Sequence, residues 1–219
     1  MNFLSTRFFR HYKNKPYRYL GIVKHSETLE DLVLYETLYA NETAKLWVRP
    51  KEMFFEDIVI DGQKTPRFKP IEFIFKEFTS VAQLPVEIIA DLYPHTLGSK
   101  FILEKFLLRV KDKSKIYCLV AYDGMDPIAF KLGYAESDEL FYSWTGGTSK
   151  EFRGLGIATE LMRRQHAWCK AQGFKTVKSH SQQPFRDMMR LNLAMGFDIV
   201  GTQVDGKKQL KVIFQKELS

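Results

Sequence analysis

The chain has 219 residues, 45% of them hydrophobic, and a formal net charge of +7. That length and apolar share exclude a disordered chain and suit a domain of ordinary size joined to a small one. The charge suits a polyanion, but zinc-finger spacing, an RNA-recognition signature and a dense basic stripe are all missing from the sequence, which argues against nucleic acid.

Residues 1–70 read as a small all-β domain. Residues 1–15 lack the continuous apolar run of a secretory signal. Strands are expected at 17–23, 32–39, 46–50 and 54–60, separated by polar turns such as Ala40-Asn41-Glu42 and Asp61-Gly62. His25-Ser26-Glu27-Thr28 has the residue types of a catalytic group. Between two strands it reads more simply as a polar turn whose side chains bond the local backbone. Trp47 and Arg49 either form an exposed binding face or pack inward. The phrases FFRHYKNKPYRYLGIVKHSETLEDLVLYETLY, LWVRPKEMFFE and DGQKTPRF resemble an uncharacterised bacterial domain of about this length, and that resemblance implies no agreed function.

From residue 71 the pattern changes. A strand is expected at 71–78. A short helix opens at Leu84-Pro85-Val86 and ends before Tyr93-Pro94, and a second, N-capped by Ser99, covers 100–110. Strands follow at 116–122, 128–135 and 140–145. Residues 148–173, TSKEFRGLGIATELMRRQHAWCKAQG, then run from a polar turn through two glycines straight into an amphipathic helix. Ala158, Leu161, Met162, Trp168 and Cys169 fall on its sheet-facing side, while Arg163, Arg164, His166 and Lys170 fall on the rim. A strand at 174–179, a helix at 185–195 opened by Pro184, and a hairpin of 197–204 and 209–217 complete the chain. No stretch of about 18 apolar residues occurs, so no membrane-spanning helix is expected. The five histidines are scattered without metal-ligand spacing. Cys118 and Cys169 read as buried thiols in a reducing, cytoplasmic setting.

A strand, a glycine-bearing turn and a helix N-terminus together make an anion site. The first helical N–H groups lack intrahelical partners and carry partial positive charge, and glycines let a phosphate approach the backbone. Gly154-x-Gly156 lacks the Gly-Lys-Ser/Thr ending of a Walker loop and the third glycine of a dinucleotide fingerprint. Arg153-x-x-Gly156-x-Ala158 resembles the pyrophosphate motif [Q/R]-x-x-G-x-[G/A] of the GNAT N-acetyltransferase superfamily. The element order over 71–219 and the Met195-Gly196-Phe197 ending are similar to that family too.

The resemblance implies an α+β chain: a GNAT domain at 71–219, with a central mixed, splayed sheet flanked by helices, behind a β domain at 1–70. It implies acetyl-CoA as co-substrate and transfer of its acetyl group to a primary amine by direct attack in a ternary complex. The pantetheine arm would run along Gly146, Gly147 and Thr148, where two glycines suit a bulge or splay. The pyrophosphate would be held by the N–H groups of Arg153, Gly154, Leu155, Gly156, Ile157, Ala158 and Thr159. A backbone N–H near Trp144 to Gly146 would meet the oxyanion. Tyr142 falls near the place of a glutamate base in histone-type members. Asn192 stands where the family often has a tyrosine that protonates the leaving thiolate, and it cannot supply a proton. The acceptor is a small-molecule amine, or a protein lysine or N-terminus; the oligomeric state is left open, a dimer included. The rivals are a non-catalytic acyl-CoA sensor and an N-terminal binding module for a protein or nucleic-acid partner.

Overall fold

A computed structural model describes residues 8–206 and 208–218. The chain divides into two compact units, Met1–Ile74 and Phe75–Ser219.

In the first unit, strands β1 (Phe8–His11), β2 (Pro16–Lys24), β3 (Asp31–Thr37) and β4 (Leu46–Pro50) form a meander. Helix α1 (Lys51–Phe55) and the hairpin of β5 (Asp57–Ile60) and β6 (Gln63–Pro66) follow, and β7 (Phe68–Pro70) joins the sheet beside β1, giving the order β4-β3-β2-β1-β7. Residues 54 and 55, expected to begin a strand, end a helix instead. The reason is packing: Phe54 is fully buried and stacks on Phe68 with ring centroids 4.1 Å apart, a position that a strand running on from Pro50 would not give it. The registers Phe9↔Tyr17, His11↔Phe68, Tyr17↔Thr37, Tyr19↔Tyr35, Tyr35↔Trp47 and Val33↔Arg49 set all of these side chains on one face of the sheet. The His25 turn is what its residue types suggest, since its Nδ1 accepts the N–H groups of Glu27 and Thr28 at 3.3 and 3.2 Å.

The second unit holds β8 (Phe73–Phe78), α2 (Val86–Leu97), α3 (Leu103–Val110), β9 (Ile116–Asp123), β10 (Asp126–Ala135), β11 (Leu140–Thr148), α4 (Ile157–Ala171), β12 (Thr176–Gln182), α5 (Arg186–Ala194), β13 (Asp198–Val204) and β14 (Leu210–Glu217). The sheet order is β13-β14-β12-β11-β10-β9-β8, and β11–β12 is a parallel pair. Residues Ile116, Cys118, Val120, Phe130, Leu132, Tyr134 and Tyr142 pack with α2 and α3 on one face. Alternation turns Tyr117 and Phe141 to the other face, where both meet Trp168 of α4.

Three helix expectations are corrected. Helix α2 runs through Pro94 to Leu97 and stops at Gly98 in the left-handed region (φ 66°). Burial of Ile89, Leu92 and Thr96 along one stripe outweighs the lost N–H of a proline placed in the last turn. Helix α3 begins at Leu103 rather than 100; Ile102 occupies its N-cap position, without a side-chain cap bond, so Ser99 is not the cap. His166 lies inside, not on the rim, with its ring 5.4 Å from that of Phe197. Among the described residues no helix is long and apolar enough to cross a membrane, and no cluster of three potential metal ligands occurs. Both cysteines are free and buried, and burial pushes both thiol pKa values up.

Candidate functional site

The site is organised by the parting of β11 from β12. The two strands pair only from Leu140↔Thr176 to Ser143↔Ser179. At that point β11 bulges: Thr145 pairs with Leu132 and Tyr142 with Tyr134, so Ser143 and Trp144 both oppose Gly133. The bulge thus precedes the glycines at which it was expected. Those glycines serve close approach. A Cβ on Gly147 would lie 2.6 Å from Thr96 Cβ of α2, and one on Gly146 would lie 2.7 Å from the Phe130 carbonyl oxygen. Beyond the bulge, the Ser149 N–H donates to the Ile128 carbonyl at 2.8 Å. Strand alternation therefore turns Thr145 and Gly147 toward β10, and turns the backbone groups of Gly146 and Thr148 toward the side β12 has left.

The chain then passes through a short 3-10 turn, Lys150–Phe152, into α4. Gly154 and Gly156 both sit at φ 79°, a conformation glycine adopts without strain. Gly156 is the N-cap of α4, and the Glu160 N–H is the one that reaches back to the Gly156 carbonyl, at 3.0 Å. The N–H groups of Ile157, Ala158 and Thr159 accordingly have no acceptor within the helix. Leu155 and Ile157 are buried, so from these two only backbone is offered. Arg153 does something else: its N–H, expected on the pyrophosphate, donates to the Lys150 carbonyl at 3.3 Å, while its Nε donates to the Thr148 carbonyl at 3.1 Å and its Nη2 to the Thr96 carbonyl at 3.0 Å. Its side chain straps the end of β11 to the end of α2. Arg163 and Arg164 both pair with Glu160, which accounts for their charge on the helix surface.

On the α4–α5 face, the elements bounding the parting carry buried polar atoms that have no partner. These are Thr148 Oγ1, Gln165 Nε2, His166 Nε2, Ser181 Oγ and both amide atoms of Asn192. Lys131 is buried there too, and burial draws its pKa down to about 8. Burial, then Lys131 and Lys216, lower His166 to about 3. Orphaned polar groups at this density are costly unless something polar meets them.

On the α2–α3 face the walls are aromatic and cationic. Arg109 donates from Nε to the Tyr134 hydroxyl at 2.8 Å and lies 5.0 Å from the Trp144 ring centre. Tyr142 is buried, and burial pushes its pKa up to about 12, so it keeps its proton at neutral pH and cannot act as a base. His180, which sequence reasoning passed over, is the first β12 residue after the strands part. Its ring lies 5.1 Å from that of Tyr142, and its pKa is lowered, first by burial and then by Lys178 and Lys211. Its only sequence signal is alternation, which puts Lys178, His180 and Gln182 on one face of β12. Lys178 is itself ion-paired with Glu136. A cleft of about 510 Å³ at the start of α5, lined by Gln183, Pro184, Arg186, Asp187 and Arg190, lies outside the parting.

The parted parallel pair beside a glycine-bearing helix start defines a mixed α+β fold whose central sheet is split along one strand. Residues 83–197 match the model of the acetyltransferase (GNAT) family, and the chain belongs to that family. Residues 7–70 match a second family, described as a protein of unknown function (DUF1653). Among solved structures, Ard1 from Thermoplasma volcanium is 14% identical, with 67% of this chain and 98% of that one covered at a TM-score of 0.56. The ribosomal-protein-S18-alanine N-acetyltransferase from Escherichia coli is 8% identical, with 68% and 95% covered at 0.57. Arabidopsis thaliana NAA60 in complex with acetyl-CoA is 17% identical, with 67% and 99% covered at 0.56. At these identities the likeness is one of fold. No curated protein matches the chain.

Proposed function

We propose that the chain is an N-acetyltransferase that transfers an acetyl group from acetyl-CoA to a primary amine by direct attack in a ternary complex. The observation that carries this reading is the coincidence at one place of a parted parallel pair, a bulge and a glycine-bearing helix start. The residues fit acetyl-CoA. The opened backbone of Gly146 and Thr148 suits an amide-bearing arm laid alongside like an added strand. The N–H groups of Ile157, Ala158 and Thr159 suit a pyrophosphate. The unpartnered atoms of Thr148, Gln165, Ser181 and Asn192 are polar groups that such a ligand would satisfy.

When bound, acetyl-CoA supplies an acyl group activated as a thioester. The chain supplies position and proton handling. The Gly146 N–H, turned into the gap, is the donor placed to hold an oxygen that gains charge. His180, neutral at pH 7 because its pKa is lowered, accepts the proton that the amine loses. Arg109, which lies over the Tyr142 and Trp144 rings, charges the same face positively, and that field favours an amine in its uncharged, nucleophilic form. Tyr142 remains a hydroxyl donor and a wall.

The test is calorimetric titration with acetyl-CoA of the wild type and of Gly156→Glu, which places a carboxylate at the helix start. Binding lost in a folded variant supports the reading, and a folded wild type that does not bind overturns it. The second reading is a non-catalytic acyl-CoA sensor, favoured by Asn192, whose amide has no proton to give. Acetyl-CoA binding without turnover across an amine panel would select it. Under the first reading, His180→Asn loses activity by about 10²–10⁴-fold while acetyl-CoA affinity is kept.

A further inference from the structure

Among the described residues of the first unit, one arginine has no carboxylate to neutralise it. Arg49 lies on β4, on the inner face opposite Val33. Its Nη1 reaches Met53 Sδ at 3.5 Å, a weak acceptor, and its guanidinium lies 5.8 Å from the Phe68 ring centre. Its Nε is buried without a partner. No carboxylate among the described residues pairs with it: Glu36 is engaged by Arg18 and Lys45, Asp31 by Lys24 and Lys51, and Glu56 by Arg67. The guanidinium is half-buried and its Nη1 contact with Met53 is exposed, but the buried Nε lacks an acceptor, a cost that an apolar side chain in the same space would avoid.

Further hydrogen-bond donors gather around the same ring. His11 sits 4.7 Å from Phe68, and its Nδ1 accepts the Lys13 N–H at 3.4 Å, which leaves the proton on Nε2 as a donor. Burial, then Arg49, Arg67 and Lys13, hold His11 near a pKa of about 4, so the ring is neutral and lies in a positive field. Tyr17, 5.5 Å from Phe68, shares a 2.7 Å hydrogen bond with the Tyr39 hydroxyl. Two protonated hydroxyls in one bond leave one hydrogen to donate elsewhere. The other face of Phe68 is closed by Phe54. Arginine, imidazole N–H and phenol thus converge without an acceptor, in aromatic surroundings.

We propose that Arg49, His11 and the Tyr17–Tyr39 pair form a binding site for the oxyanion group, carboxylate or phosphate, of a small ligand. The guanidinium fork takes two oxygens side by side, which no single ammonium would do. The site is built from residues of the first unit alone and does not depend on the acetyltransferase reading.

The test uses the full-length protein and two probes, inorganic phosphate and benzoate, followed by the side-chain N–H resonances of Arg49 and His11. A saturable shift with one probe identifies the source of the oxyanion, and Arg49→Met should weaken that binding at least tenfold. The variant should remain folded, since methionine fills the space without the charge. His11→Phe, which removes one donor and keeps a ring, is the second variant and should weaken binding several-fold if Arg49→Met does not fold. Absence of a saturable shift with both probes, or equal affinity in folded variants, would overturn the proposal.

Discussion

At the scale of single residues, the buried polar groups behind the parted strands carry the sharpest expectations. His166 has a folded pKa of about 3, against the ordinary 6.5. Between those values the unfolded chain binds a proton that the folded chain refuses. Its stabilising effect is therefore complete above pH 6.5 and is lost as pH falls toward 3. At pH 5 the loss is about 2 kcal/mol. His166→Phe, packed on Phe197, should lose less stability than the wild type between pH 7 and pH 5 in denaturant titrations; equal losses would mean that His166 is not the titrating group. Asn192 gives a different signature. Leucine of similar shape removes two orphaned polar atoms, so Asn192→Leu should leave the free protein as stable or raise it by about 1 kcal/mol. The same change should shrink the rise in Tm that acetyl-CoA produces. A destabilised free variant would show that Asn192 is satisfied within the fold. Neither residue announced this role in the sequence. His166 reads as a rim position because a single helical wheel cannot show that Phe197, thirty-one positions later, comes back to cover it.

At the scale of elements, the question is why β11 ends in two glycines. The sequence marks them as suited to a bulge or a splay; the bulge lies before them, at Ser143–Trp144, and they fall in the part of β11 no longer paired with β12. What they permit is contact with α2 and β10, neither of which adjoins them in sequence. Gly147→Ala should therefore cost about 1–3 kcal/mol, because its methyl would stand 2.6 Å from Thr96 Cβ. Thr96→Gly removes the atom it meets, so the double variant should recover part of the loss. A double-mutant cycle measured by urea unfolding gives the coupling, and a coupling near zero would mean the cost arises elsewhere. Arg153 teaches the same point. As a letter in a phosphate motif its N–H reads as a ligand contact, yet that N–H donates to the Lys150 carbonyl at 3.3 Å, and its side chain bonds the carbonyls of Thr148 and Thr96. Periodicity and turn chemistry located α4 and most strands to within a few residues, but β1, β6 and β7 were not expected. They failed at α2, where burial overrode Pro94, and at α1, where Phe54 had to reach Phe68.

At the scale of the whole molecule, the net charge of +7 bears on how a polyanion arrives rather than on how it is held. The proposed phosphate site at the start of α4 offers backbone N–H groups, whose short-range bonds salt screens little. Exposed Arg163 and half-buried Arg164 on the same helix are already paired with Glu160. What remains is the long-range field, and it acts over a Debye length that shrinks from about 30 Å at 0.01 M salt to about 8 Å at 0.15 M. Acetyl-CoA, with its pyrophosphate and 3′-phosphate, should therefore bind several-fold more weakly across that range, mainly through a slower association rate. Acetyl-pantetheine, which has the arm and the thioester but no phosphate, should show no such dependence. Stopped-flow binding of both compounds at the two ionic strengths separates the terms. A salt effect equal for the two would mean that ionic strength acts on the protein itself. A dissociation rate that rises steeply with salt for acetyl-CoA alone would mean that charged side chains, and not the Gly156 helix start, hold the phosphates.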